Sequence, residues 1–252
     1  MRVAVITDLH ANLPALEAVL EAIERGGYDH IVHTGDVIGI GPYPVECLDR
    51  LLSTPNVSLI KGNHDTWLVD GFPDALPKWL RQDDPFELEL WAHVEANAHW
   101  THAQIDPRLA SRVAQWPLQI RSEYEGFKVA FQHYALVSAG DGYKLLIHNA
   151  TVDDLDELFE HEDADIVFYG HTHPRSDLMG RARYVNPGSL GCHSKAVARY
   201  CAAEFRRGEC RIEHCCEPYD DGELFRAFER RAVPGRAFFY RMFLGDRFGT
   251  HK

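Results

Sequence analysis

The chain has 252 residues, 45% apolar and 25% charged, with no low-complexity segment or internal repeat, which suits one α/β domain spanning residues 1–252. Its formal charge of −12 argues against a nucleic acid polymer as partner, and no run approaches the roughly 18 uninterrupted apolar residues of a membrane span. Asp8 and His10 break the first apolar run, so no secretory pattern is expected, and six cysteines without a C-x-x-C pair suit reduced thiols in the cytoplasm.

Taken in chain order, Arg2–Thr7 reads as a buried strand, rich in β-branched residues. Asn12 is placed to cap a helix whose apolar stripe is Leu13, Leu16, Val19, Leu20 and Ile23, ended by Gly26-Gly27. Ile31–Thr34 is a second strand, Val45–Leu52 a helix and Val57–Ile60 a third strand. This rhythm predicts a parallel sheet covered by helices. From Asp74 to Gln115 the composition turns to Ala, Leu, Glu and Trp. Residues 67–117 therefore read as a helical cap insertion, broken near Pro85 and Pro107 and placed to roof a site. Leu118–Tyr124 and Phe127–His133 form a hairpin around Glu125-Gly126, and Tyr143–His148 is a further candidate strand. Thr151 and Asp154 have capping-box spacing at the start of a helix. Ile166–Tyr169 is a strand, Ala196–Phe205 and Glu209–Glu217 a second hairpin, and Gly222–Arg230 a helix. The apolar stretch Ala237–Leu244 packs on its own domain or across a dimer; the sequence leaves the oligomeric state open.

Three predicted strands end in polar groups of one kind: Asp8-Leu9-His10, Gly35-Asp36, and Gly62-Asn63-His64-Asp65. His133 ends another, and Gly170-His171-Thr172-His173 follows a fifth. Ligands of open parallel sheets bind outside the carboxyl ends of the strands, so these groups should converge. Asp8, His10, Asp36, Asn63, His133, His171 and His173 together make a mixed nitrogen and oxygen set without thiolate, suited to Mn, Fe or Zn. Seven side chains are too many for one tetrahedral ion but suit two cations sharing a carboxylate, the usual arrangement for displacement at phosphorus.

The order D-x-H, G-D-x-x-G, G-N-H-D, H and G-H-T-H resembles the calcineurin-like metallophosphoesterase superfamily, and within it the compact bacterial and archaeal phosphodiesterases. Asn186-Pro187-Gly188-Ser189 resembles that group's late turn. The resemblance implies an α/β fold, a four-layer α/β/β/α sandwich with a helical cap. It implies two divalent metal ions, manganese first, with iron, zinc, nickel or magnesium as alternatives. Asp8, His10 and His173 would hold the first, Asn63, His133 and His171 the second, and Asp36 would bridge them. A hydroxide between the metals would be the nucleophile. His64 would bind a phosphate oxygen or protonate the leaving group, with Asp65 orienting its ring. The family often has Gly where Tyr134 stands, which makes Tyr134 a candidate to contact substrate beside Asn63 and His64. The expected activity is hydrolysis of a small phosphodiester. The rival readings are a phosphomonoesterase or protein phosphatase of the same fold, a nuclease, and an inactive metal-binding scaffold.

Overall fold

The computed structural model describes residues 1–74, 83–137 and 142–248. One five-stranded sheet has the order β10-β9-β1-β2-β3, formed by Glu209–Pro218, Val197–Arg206, Arg2–Ile6, His30–His33 and Val57–Leu59. The second has the order β4-β5-β6-β8-β7, formed by Gln119–Tyr124, Phe127–Gln132, Ile166–Phe168, Arg183–Asn186 and Ser176–Met179. In each sheet three adjacent strands run parallel, β1-β2-β3 and β5-β6-β8. The remaining pairings are antiparallel. The first sheet is thus evenly mixed, less parallel than the sequence suggests.

Alternation along the strands builds the layers. Val3, Val5 and Val32 point into a core shared with Val129, Phe131, Ile166, Phe168 and Val185 of the other sheet. Ala4, Ile6 and Ile31 point the other way, against α1 (Leu13–Gly26), α2 (Pro44–Ser53) and α7 (Gly222–Arg230). Ala130, Val167 and Tyr184 meet Leu155 and Leu158 of α6 (Val152–Leu158) on the far side. Helix, sheet, sheet and helix therefore stack in the expected four layers, each large buried side chain stabilising the stack by roughly 1.5–3 kcal/mol.

The helical segment holds α3 (Asn63–Asp70), α4 (Pro85–Gln104) and α5 (Pro107–Ala114). Pro85 and Pro107 begin helices, because a first-turn position needs no N–H. Asp84 and Asp106 cap them, accepting from Phe86 N at 2.9 Å and Leu109 N at 2.8 Å. Trp79 lies outside the described residues. The tail expected at Ala237–Leu244 is α8 (Arg236–Phe243), packed on its own chain through Phe238, Phe239 and Tyr240.

Tyr143–His148 is not a strand. Both sides of β5 are already occupied by β4 and β6, and among the described residues this segment keeps one isolated bridge, between Leu136 and Tyr143. The Tyr143 hydroxyl instead donates to Lys61 O at 2.6 Å, tying this segment to the end of the first sheet.

Candidate metal centre

The polar groups gather where β1, β2, β3, β5 and β6 end. The loop after β1 is laced to the loop after β2, Asp8 N donating to Gly35 O and His10 N to Asp36 O, both at 3.0 Å. The loops after β5 and β6 of the second sheet are joined by Gly170 N to His133 O at 2.8 Å, and the two sheets are stitched by His171 N to both Asp8 carboxylate oxygens at 3.1 Å. Asp8, His10, Asp36, His171 and His173 all have left-handed backbone, with φ between +48° and +69°. Such conformations cost roughly 1 kcal/mol or more each outside glycine. The surrounding hydrogen bonds hold five of the seven expected ligands in that state.

Two groups of donor atoms result. In the first, His10 Nε2 and His173 Nε2 are 3.0 Å apart, with Asp8 Oδ1 at 3.9 and 3.8 Å from them. In the second, His133 Nε2 lies 3.1 Å from Asn63 Oδ1 and 3.2 Å from His171 Nδ1. Asp36 Oδ2 belongs to both, 3.9 Å from His10 Nε2 and 3.3 Å from His133 Nε2. Atoms bound to one cation at about 2.1 Å stand roughly 3–4 Å apart, so both groups fit a cation's ligand shell. His133 Nδ1 faces Thr34 O at 3.1 Å; donating there leaves Nε2 as the free lone pair. Among the described residues, His10 Nδ1 is buried without a hydrogen-bond partner. The other oxygen of Asp36 accepts from His64 N at 2.9 Å, at the start of α3.

Burial pushes His10, His171 and His173 down, the last two to about 3, so their nitrogens stay neutral. Burial raises Asp8 to about 7, helped by Asp36 and opposed by His133. His133 and Asp36 behave as a pair. Burial lowers the imidazole, but the Asp36, Asp8 and Asp65 charges outweigh it and hold it up at about 9. Burial raises Asp36, but His133, His64 and His10 pull it well below the carboxylate range. Without a cation, a proton on His133 is the counter-charge for this carboxylate.

His64 is buried, its ring 5.1 Å from that of His10 and 4.7 Å from that of Trp67. Gly39, at φ +86°, makes room for it: a Cβ there would stand 2.3 Å from His64 Nδ1.

Two expectations need correction. Asp65 does not orient the His64 ring. Its carboxylate accepts from Gly62 N at 2.9 Å and Asp36 N at 2.8 Å, and from Val37 N and Ile38 N. It occupies the third helical position, where a carboxylate folds back to the helix start, while consecutive helical side chains diverge. Tyr134 does not reach a substrate surface. It is 1% exposed, its hydroxyl accepts from Ile147 N at 3.0 Å, and its ring packs behind His171 at 5.2 Å.

The calcineurin-like phosphoesterase superfamily domain matches residues 1–208. The chain belongs to this superfamily. The uncharacterized protein MJ0912 of Methanocaldococcus jannaschii is 27% identical to this phosphoesterase chain, with 92% of this chain and 93% of that protein covered. The hypothetical protein PH1004 of Pyrococcus horikoshii OT3 has the same fold, with a TM-score of 0.77 at 19% identity, covering 97% of this chain and 98% of that one. A metallophosphoesterase of Sphaerobacter thermophilus superposes with a TM-score of 0.67 at 22% identity, over 96% and 97% of the two chains. The phosphoesterase family acts through divalent metals, and the residues present here offer ligand groups for them.

Several residues around this phosphoesterase site escape a reading of the sequence. Tyr143 stands edge-on to His133, with ring centres 5.6 Å apart, and a cavity of about 460 Å³ runs from Asn63 past Tyr143, Trp67 and Lys61. Asn97 of α4 is fully buried against the loop that follows Asp36. Its position in the buried stripe with Trp91, Ala98 and Thr101 is the signal that a polar residue there has a partner. Arg199 is buried and donates to Ser189 O, His173 O and Cys192 O. It braces two site loops. Among the described residues, no helix is long and apolar enough to cross a membrane.

Proposed function

We propose that this phosphoesterase hydrolyses a small phosphodiester at two divalent cations. Asp8, His10 and His173 hold the first, Asn63, His133 and His171 the second, and Asp36 belongs to both. The observation that carries this reading is the position of Asp36 Oδ2, within 3.9 Å of His10 Nε2 and 3.3 Å of His133 Nε2. Bound there, two divalent cations would lower the pKa of a water between them and neutralise charge developing on the phosphoryl oxygens. Manganese is the first candidate on the nitrogen and oxygen set.

The chain's own groups do the rest. Burial holds His64 below the ordinary histidine value against the pull of Asp36, so it enters neutral, as a hydrogen-bond donor to a phosphate oxygen. An arriving phosphate adds negative charge beside it and favours its protonated form, which can then give a proton to the leaving alkoxide. That proton serves the leaving alkoxide of a diester and a monoester alike; the resemblance to compact phosphodiesterases is what favours the diester. Asp65 fixes the loops that carry Asp36 and Asn63. The cavity beside Asn63 has the scale of a small-molecule site, and the −12 charge opposes long polyanions.

The test is hydrolysis of bis-p-nitrophenyl phosphate and p-nitrophenyl phosphate by the metal-stripped chain, with and without added manganese. Manganese-dependent turnover favouring the diester supports the proposal. Preference for the monoester makes the chain a phosphatase. No turnover with either ester despite two bound cations leaves a substrate-selective enzyme or a binding scaffold as the better reading.

A further inference from the structure

Cys192 lies beside the first donor group. A sulfur, a His10 nitrogen and a His173 nitrogen lie within 4.8 Å of one another. Cys192 is only 5% exposed. A thiolate and an imidazole on one cation, bonded at about 2.3 and 2.1 Å, stand at most roughly 4.4 Å apart. The three donor atoms thus lie close to the separation that a shared cation requires.

The segment carrying this thiol is built into the site. Ser189 N donates to His173 O at 2.9 Å, Ser189 Oγ to Asp8 O at 2.8 Å, and Gly191 N to Asp8 O at 3.0 Å. Cys192 N donates to Ser189 Oγ at 2.8 Å, and Arg199 Nη2 donates to both His173 O and Cys192 O. The backbone of 189–192 is thus fixed to that of Asp8 and His173. The approach is close enough that a Cβ at Gly191 would stand 1.8 Å from Leu9 O. These ties hold the Cys192 backbone beside both ligand loops, while the side chain also packs against Ile40, Phe238 and Phe239.

We propose that Cys192 Sγ is a further ligand of the first cation, beside Asp8, His10 and His173, and that it makes this position selective for a thiophilic ion such as zinc or ferrous iron. The inference rests on the two-cation reading above. Coordination exchanges the S–H bond for a sulfur–metal bond and releases one proton to solvent, with no change in oxidation state. The two positions then differ. The second has only nitrogen and oxygen donors and suits manganese, while sulfur shifts the first toward softer ions.

Cobalt reports this directly, because a thiolate bound to Co²⁺ gives a strong near-ultraviolet charge-transfer band. The full-length, metal-stripped chain is titrated with Co²⁺ without oxygen, alongside Cys192→Ser and Cys192→Ala, each checked for native circular dichroism. The expected result is a thiolate band in the wild type that is lost in both variants, with two equivalents still bound and the visible cobalt bands retained. The preference for Zn²⁺ over Mn²⁺, read by elemental analysis after competition, should fall on the order of tenfold or more in the variants, at least the cost of losing an outer-shell partner. Two bound Co²⁺ without a thiolate band in the wild type overturns the role of Cys192 and leaves the two-cation reading standing. A band that survives in the variants belongs to another cysteine and has the same consequence. No Co²⁺ binding overturns both readings.

Discussion

Asn97 and Ile40 exchange two hydrogen bonds, Ile40 N donating to Asn97 Oδ1 at 2.7 Å and Asn97 Nδ2 donating to Ile40 O at 3.1 Å. Ile40 has φ +61°, a conformation that β-branched residues avoid. It follows Gly39, against which His64 packs. A helix of the cap segment thereby holds the strained loop that shapes the site. Asn97→Ala leaves two buried backbone groups unpaired and should cost about 2–3 kcal/mol of stability. With both cations retained, turnover should fall at least tenfold. Thermal unfolding, elemental analysis and ester hydrolysis on one preparation separate these effects; unchanged turnover would show that α4 does not govern the site.

His64→Ala should keep both cations and lower turnover on the order of 10²–10⁴-fold, most for poor leaving groups. Gly39→Ala should reproduce part of that loss with the His64 ring still present, since its Cβ would stand 2.3 Å from His64 Nδ1 and would strain the backbone at φ +86°. A rate plot against leaving-group pKa for each variant is the readout. Release of metal from His64→Ala would show that His64 is a ligand.

Asp36→Asn should weaken both cations together, because one oxygen serves both groups. Isothermal titration with Mn²⁺ should show both binding steps weakened. Loss of one step with the other intact would remove Asp36 from the shared position.

The metal-free chain should be most stable near pH 6.5. His171 and His173, lowered to about 3, with His10 and His64 also lowered, contribute stability above the unfolded histidine value, and it is lost as pH falls from about 6.5 toward 3. Asp8 and Asp65 at about 7 and His133 at about 9 are raised. Their contribution is present below their unfolded values and is lost as pH rises through 7 and then 9. Below pH 6.5 the histidines outweigh the two carboxyls. Cations replace these protons, so saturating metal should move the optimum upward; melting curves from pH 5 to 9.5, with and without Mn²⁺, check both shifts.

The sequence makes the strand-to-loop junctions legible, because an apolar run ending in Asp-Leu-His or Gly-Asn-His-Asp puts a local pattern and a polar group in one place. The caps at Asn12 and Thr151 are equally local and appear as read. The strands Ser176–Met179 and Arg183–Asn186 are absent from that reading: each has four residues, too few for a period, and they are fixed by pairing at the sheet edge. Tyr143–His148 has strand composition, but β5, the strand it follows, is already paired on both sides. The partners of Asp65, Asn97, Arg199 and Tyr134 are backbone groups, which carry no sequence signature.

Each donor group draws on both sheets. Asp8 and His10 follow β1 while His173 follows β6, 163 positions beyond His10; Asn63 follows β3 while His133 and His171 belong to the other sheet. A chain emerging from the ribosome therefore owns no complete cation position until the stretch beyond β6 is made and the sheets have docked. On the proposed two-cation reading, nascent and half-folded copies would be hydrolytically silent until the two sheets have docked.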